Sequence, residues 1–324
     1  MSPCDFLHKN AETPLCDYYM AAGAVCRVLT NSEDLLAAAR DSFLPVEPPP
    51  ASIDLSIRFW VDHSDRALPP WPKPYVRGLD HLVFAGFDLG SSLLASLQTR
   101  HVIGRFSPAM AADAPYWRTV IFPMMMTIVG ASVGVAELHC ACVAKDQRGL
   151  LLVGPSGSGK STLALALTKI GFGLLSDDRT FCSVKSGEVR SWGMLTRIKL
   201  RPEAAVWFQE LGRERPTTSH GGEPALWLDP KDQLNLKRVR LCEPRCLIFL
   251  ERQQLRQFRM TRMSSNEAAR RLNDDLIAES PEAATTRSGT IARLVESPIW
   301  LLRYGGEPHA VARNILEHIA KDFN

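Results

Sequence analysis

Residues 154–161 read Gly-Pro-Ser-Gly-Ser-Gly-Lys-Ser, the spacing G-x-x-x-x-G-K-[ST] of a phosphate-binding loop. A polyphosphate needs several N–H donors converging on it with no side chains in the way. Gly154, Gly157 and Gly159 allow that curvature; Pro155, Ser156 and Ser158 complete the cradle, and Thr162 follows it. Before the loop stands the apolar run Gly149-Leu150-Leu151-Leu152-Val153. After it comes Thr162-Leu163-Ala164-Leu165-Ala166-Leu167, a good helix former whose positive end would meet the anion. Lys160 would reach the β and γ phosphates, and the Ser161 hydroxyl would sit on Mg²⁺. The expected ligand is therefore ATP with Mg²⁺.

A second group follows. Asp177-Asp178 comes eighteen residues after Lys160, behind Gly171-Phe172-Gly173-Leu174-Leu175-Ser176. The helix should hold about ten residues and turn at the glycines before a short strand delivers the two acids. A neighbouring strand ending there would project them into the crevice at the carboxyl ends of an open sheet. Adjacent residues on a strand face opposite ways, so the two acids cannot share one task. One could orient Mg²⁺ or its water while the other takes a proton from an attacking hydroxyl. His139 stands twenty-one residues before Lys160, on the strand ahead of the one feeding the loop, and a hairpin would bring it close. A lone histidine on an apolar strand is more often a core residue with a satisfied hydrogen bond.

These groups need a scaffold. From 139 onward strands and helices alternate, which predicts an α/β fold: a mixed sheet with flanking helices around the loop. Strands are expected at 139–144, 149–153, 247–250 and 299–303, with helices over about 266–279 and 307–321 and a short one between them. The segment 212–224 is polar and rich in Gly and Pro, and reads as a loop. Ahead of this lies a small α+β region. Residues 1–20 read as a lead-in and 24–30 as a strand. Ile53-Asp54-Leu55-Ser56-Ile57-Arg58-Phe59 alternates as a half-buried strand should. Two proline-rich connectors follow the same pattern of short elements. The expected division is an amino-terminal domain over 1–110 and a catalytic domain over 111–324, the latter opening with a helix near 114–131.

The chain has 324 residues, 45% hydrophobic and 23% charged, with a net charge of +3. That balance gives no footprint for nucleic acid or an anionic membrane. Residues 119–136 carry no charge, but Pro123, Gly130 and Gly134 interrupt them, so they read as a buried helix and a strand rather than a membrane span. The first nine residues lack the apolar run of a signal peptide, and the eight cysteines form no C-x-x-C pair. Both point to a cytoplasmic protein with reduced thiols.

The series His139, the loop 154–161, and Leu174-Leu175-Ser176-Asp177-Asp178 resembles the carboxy-terminal kinase domain of HPr kinase/phosphorylase. Those bacterial enzymes phosphorylate a serine of a small phosphocarrier protein, and their fold is related to ATP-dependent phosphoenolpyruvate carboxykinase. The resemblance implies that Lys160 binds phosphate, Ser161 binds Mg²⁺ and Asp178 is the general base with His139 beside it. Asp177 is then left to the metal. It also implies a homo-oligomer. The chain departs from the family in having Thr162 where a glutamate follows the loop serine. It lacks the Arg-Gly-Leu-Gly segment, with Glu203 standing at a suitable distance, and it lacks the loop linked with dephosphorylation. It is more similar to divergent members that act on peptides. The expected activity is ATP-dependent phosphorylation of a serine on a protein or peptide. A kinase of free serine or another metabolite, and a nucleotide-binding regulator without catalysis, would share the same loop.

Overall fold

The computed structural model describes residues 12–194, 197–208, 217–218, 224–228, 236–274 and 280–323. The chain divides into two compact units, Met1–Val135 and Ala136–Asn324.

The first unit holds β1 (Leu15–Ala21), β2 (Ala24–Thr30), α1 (Glu33–Ser42), β3 (Leu44–Pro45), β4 (Leu55–Val61), β5 (Tyr75–Leu79), β6 (Leu82–Gly86), β7 (Ser92–Ser96) and β8 (His101–Phe106). The strands form one sheet in the order β3-β1-β2-β4-β8-β7-β6-β5. The alternation read at 53–59 is realised in β4, whose odd-numbered residues are buried. The expected lead-in is not loose throughout, because β1 pairs with β2 along its whole length.

The expected boundary at 110 moves to 135. After β8 come α2 (Pro108–Ala112), α3 (Ala114–Tyr116), a π turn over Trp117–Ile121, α4 (Phe122–Val129) and a 3-10 turn over Gly130–Val133. Aromatic packing ties this stretch to the first sheet. Trp117 lies 4.6 Å from Phe106 and 5.4 Å from Phe59 between ring centroids, and Phe122 lies 4.7 Å from Phe43. A fully buried tryptophan removes a large apolar area from water, which outweighs sequence proximity to the next strand. The uncharged segment 119–136 is thus a buried, broken helix followed by a strand. Among the described residues no helix is long and apolar enough to cross a membrane.

The second sheet is mixed and has nine strands: β9 (Val135–Leu138), β10 (Cys140–Lys145), β11 (Arg148–Val153), β12 (Gly173–Ser176), β13 (Thr180–Lys185), β14 (Glu188–Trp192), then, after three strands outside this sheet, β18 (Leu241–Arg252), β19 (Gln257–Arg262) and β20 (Ile299–Gly305). The other two groups of the unit are a small sheet, made of β15 (Ile198–Leu200), β16 (Thr217–Thr218) and β17 (Pro224–Leu228), and the helices α5 (Lys160–Thr168), α6 (Ser265–Asp274), α7 (Pro281–Leu294) and α8 (Pro308–Phe323). One apolar cluster joins α5 and α8 to one face of the large sheet, and another joins α6 and α7 to the opposite face. Cys140, Cys142, Cys182 and Cys242 belong to the second cluster and are not joined in disulfides.

Three registers position the site. β10 runs antiparallel to both β11 and β12, with Cys140 opposite Val153 and Cys142 opposite Ser176. β11 and β12 are therefore parallel to each other with β10 between them, so the acid-bearing strand is not the loop strand's neighbour as expected. The carboxyl ends of β11 and β12 nevertheless lie at one edge, together with the start of β10. β18 is parallel to β11 and β20 to β18, which brings the end of β20 to the same edge. Of the segment 212–224, only 217–218 and 224 lie within the described residues, as do only 266–274 of the helix expected at 266–279.

Candidate functional site

The loop leaves β11 at Val153 and closes into α5 at Lys160. Gly157 and Gly159 both take positive φ, +82° and +95°, with Ser158 between them on the ordinary side. This alternation curls successive N–H groups toward a common point, the geometry of an anion-binding nest. Gly159 has no room for a side chain, and Gly157 has little. A Cβ on Gly159 would run into the Tyr304 hydroxyl, and one on Gly157 would lie 3.1 Å from the Arg201 guanidinium. Gly154 is equally closed: its Cβ would stand 2.6 Å from Ser158 Oγ.

Tyr304, at the end of β20, donates a 2.6 Å hydrogen bond to the Ser158 carbonyl. The peptide unit is planar and trans, so fixing that carbonyl aims the Gly159 N–H the opposite way, away from the phenol. Burial holds the phenol's pKa far above its ordinary value, so it stays a donor. Sequence spacing could not identify this residue, 146 positions from its partner. The available signal was a hydroxyl-bearing aromatic just past the strand read at 299–303.

Lys160 is almost fully buried, at 7% exposure. Its ammonium donates to the Gly154 carbonyl at 2.6 Å and to the Pro155 carbonyl at 3.5 Å, and lies 3.1 Å from His139 Nε2. His139 sits in the break between β9 and β10, and the same Nε2 is 3.1 Å from Asp178 Oδ1. Lys160 and Asp178 thus meet on one His139 nitrogen, a polar chain in which that nitrogen either donates to the carboxylate or accepts from the ammonium, not both at once. The pair Arg179–Glu137 flanks it at 3.0 Å.

The two acids lie in the bend just after β12, not on the strand as expected, and they divide in exposure. Asp177 is 3% exposed, whereas the Asp178 side chain is 64% exposed. The hydrogen bond from His139 is the main reason that Asp178 titrates below the usual carboxylate range, so it is ionised at neutral pH. Burial pushes Asp177 up to about 7, against the Lys199 amide and the Ser161 hydroxyl, which favour its charged form. The Lys199 N–H reaches Asp177 Oδ2 at 3.1 Å. Asp177 Oδ1 is buried without a hydrogen-bond partner, and so is Ser158 Oγ.

A partnerless carboxylate oxygen next to a serine hydroxyl is a donor set that suits Mg²⁺. This ion uses one or two protein oxygens and takes its remaining ligands from water and phosphate. Among the described residues no group of three His, Cys, Asp or Glu side chains forms a metal cage. Of the other expected loop residues, Ser156 is exposed at the tip and Thr162 is half-buried on α5, apart from the polar chain. Glu203 is exposed on the 3-10 turn Pro202–Trp207.

No family model matches the chain, and no curated protein does. Among solved structures, the Hpr(Ser) kinase/phosphatase from Coxiella burnetii matches at 15% identity with a TM-score of 0.29, over 57% of this chain and 97% of that one. A likeness of that size carries no argument, and the functional reading rests on the site's own geometry.

Proposed function

We propose that the protein is an ATP-dependent kinase that transfers the γ-phosphate to a serine hydroxyl of a protein or peptide. The observation that carries this reading is the meeting of Lys160 and Asp178 at His139 Nε2, built at the sheet edge where the glycine nest opens. The nest's N–H groups would hold the phosphates, and Lys160 would exchange its hold on the Gly154 carbonyl for phosphate oxygens. Ser161 and Asp177 would hold Mg²⁺, which supplies charge neutralisation across the β and γ oxygens. Asp178, exposed and ionised, would receive the proton of the acceptor hydroxyl, with His139 orienting its carboxylate. The acceptor oxygen forms its bond to phosphorus as the bond to the departing ADP oxygen breaks. Positioning and electrostatic stabilisation supply most of the acceleration.

Incubation with γ-labelled ATP tests this. Label on a serine peptide or protein supports the reading. Label on free serine or another metabolite would replace it with a small-molecule kinase. Free phosphate alone, or bound ATP without turnover, would reject transfer to any acceptor.

A further inference from the structure

The strand that supplies the Lys199 amide to Asp177 also carries an unusual surface. Over Arg197-Ile198-Lys199-Leu200-Arg201, exposure alternates strictly. Ile198 and Leu200 are each 1% exposed in the core beneath α5, which turns Arg197, Lys199 and Arg201 outward on one face. The middle and one end of this strip are tied to the candidate site: the Lys199 backbone holds Asp177, and the Arg201 guanidinium packs against the Gly157 position of the loop. Across the strand pair, Lys199 faces Trp227, its ammonium 5.9 Å from the ring centroid, so a half-buried aromatic lies within the basic face. Arg179, directly after Asp178, is paired with Glu137 at 3.0 Å and so lies outside the strip. A protein with 38 basic and 35 acidic residues has no general excess of positive charge, so this concentration is local. The nearest acid along the chain is Glu203, on the following turn.

We infer that Arg197 and Lys199 form the docking strip for an acidic segment of the substrate, next to the hydroxyl that Asp178 deprotonates. The inference rests on the kinase reading and names its substrate class: serine flanked by glutamate or aspartate. Arg201, at the loop, belongs to the nucleotide side of the strip. An extended peptide would set alternate carboxylates against the cations, with the Trp227 ring under an apolar residue.

Fluorescence anisotropy with labelled peptides tests it, each holding one serine flanked by glutamates, by lysines or by glutamines. The acidic peptide should bind about tenfold tighter than the basic one, about 1.4 kcal/mol, and the difference should shrink as salt rises. Arg197→Glu with Lys199→Glu should reverse the preference, and Arg197→Gln with Lys199→Gln should abolish it. Equal binding of the three peptides, or a preference unchanged in both double variants, overturns the inference. A loss of Mg–ATP binding in Arg197→Glu alone, with peptide preference intact, overturns it too. The two readings fail separately. An acidic peptide that binds the strip but takes no label from ATP removes the kinase and leaves the strip. Label taken up regardless of flanking charge does the reverse.

Discussion

Above about pH 7 the ionised, buried Asp177 carboxylate makes the metal-free fold less stable. Burial lifts its carboxyl from 3.8 to about 7, so the metal-free fold prefers the neutral acid. A raised carboxyl pKa means that the native state binds more protons than the unfolded chain between those two values. Stability therefore falls as pH rises through that window, and the loss is complete above about pH 7. A rise of about three in pKa is worth about 4 kcal/mol. Asp177→Asn removes the charge and keeps an oxygen to accept from the Lys199 amide. It also places an amide nitrogen at the partnerless Oδ1 position, which costs about 1–3 kcal/mol. In the presence of a chelator the variant should be more stable than wild type at pH 8 by about 2 kcal/mol, the difference between those two effects. That advantage should shrink by about 1.4 kcal/mol per pH unit as pH falls from about 7 toward 4. Urea denaturation across this range measures it. With Mg–ATP the order should invert, because saturating ligand at about a hundred times its Kd stabilises wild type by about 2.7 kcal/mol and the variant by far less. An Asn variant that is less stable than wild type at pH 8, or a gap that does not change with pH, would refute the reasoning.

Other substitutions probe the neighbouring parts. Lys160→Ala should abolish turnover and weaken ATP binding, read by titration with a fluorescent ATP analogue. Tyr304→Phe keeps the ring and loses the hydroxyl that fixes the Ser158 carbonyl. Mg–ATP affinity should fall about fivefold while unfolding free energy falls by about 1 kcal/mol, one ordinary hydrogen bond. Gly159→Ala should destabilise the protein and abolish ATP binding, since its Cβ meets the Tyr304 hydroxyl at a positive φ; Gly159→Ala in a Tyr304→Phe background should recover part of the stability lost.

The site was legible in sequence wherever one element carried the signal. The strand, loop and helix at 148–168 follow from glycine spacing and an apolar flank. The broken buried helix at 117–133 follows from its proline and glycines, whereas the split between a buried Asp177 and an exposed Asp178 arises in the bend after β12 and not from the strand alternation expected. What stayed hidden depends on residues far apart in the chain. The insertion of β10 between β11 and β12 is a pairing choice that neither strand's composition records. The domain boundary moved by 25 residues, from 110 to 135, because Trp117 and Phe122 pack on Phe43, Phe59 and Phe106. Tyr304 and Arg201 reach the loop only through the sheet's parallel order and the placement of β15.

The meeting of a triphosphate cradle with a carboxylate proton acceptor is tested most directly by Asp178→Asn, with Mg–ATP affinity and label transfer measured on the same preparation. The account predicts affinity close to wild type and transfer reduced by at least about a hundredfold, the loss expected for a positioned base. Transfer at the wild-type rate would contradict it.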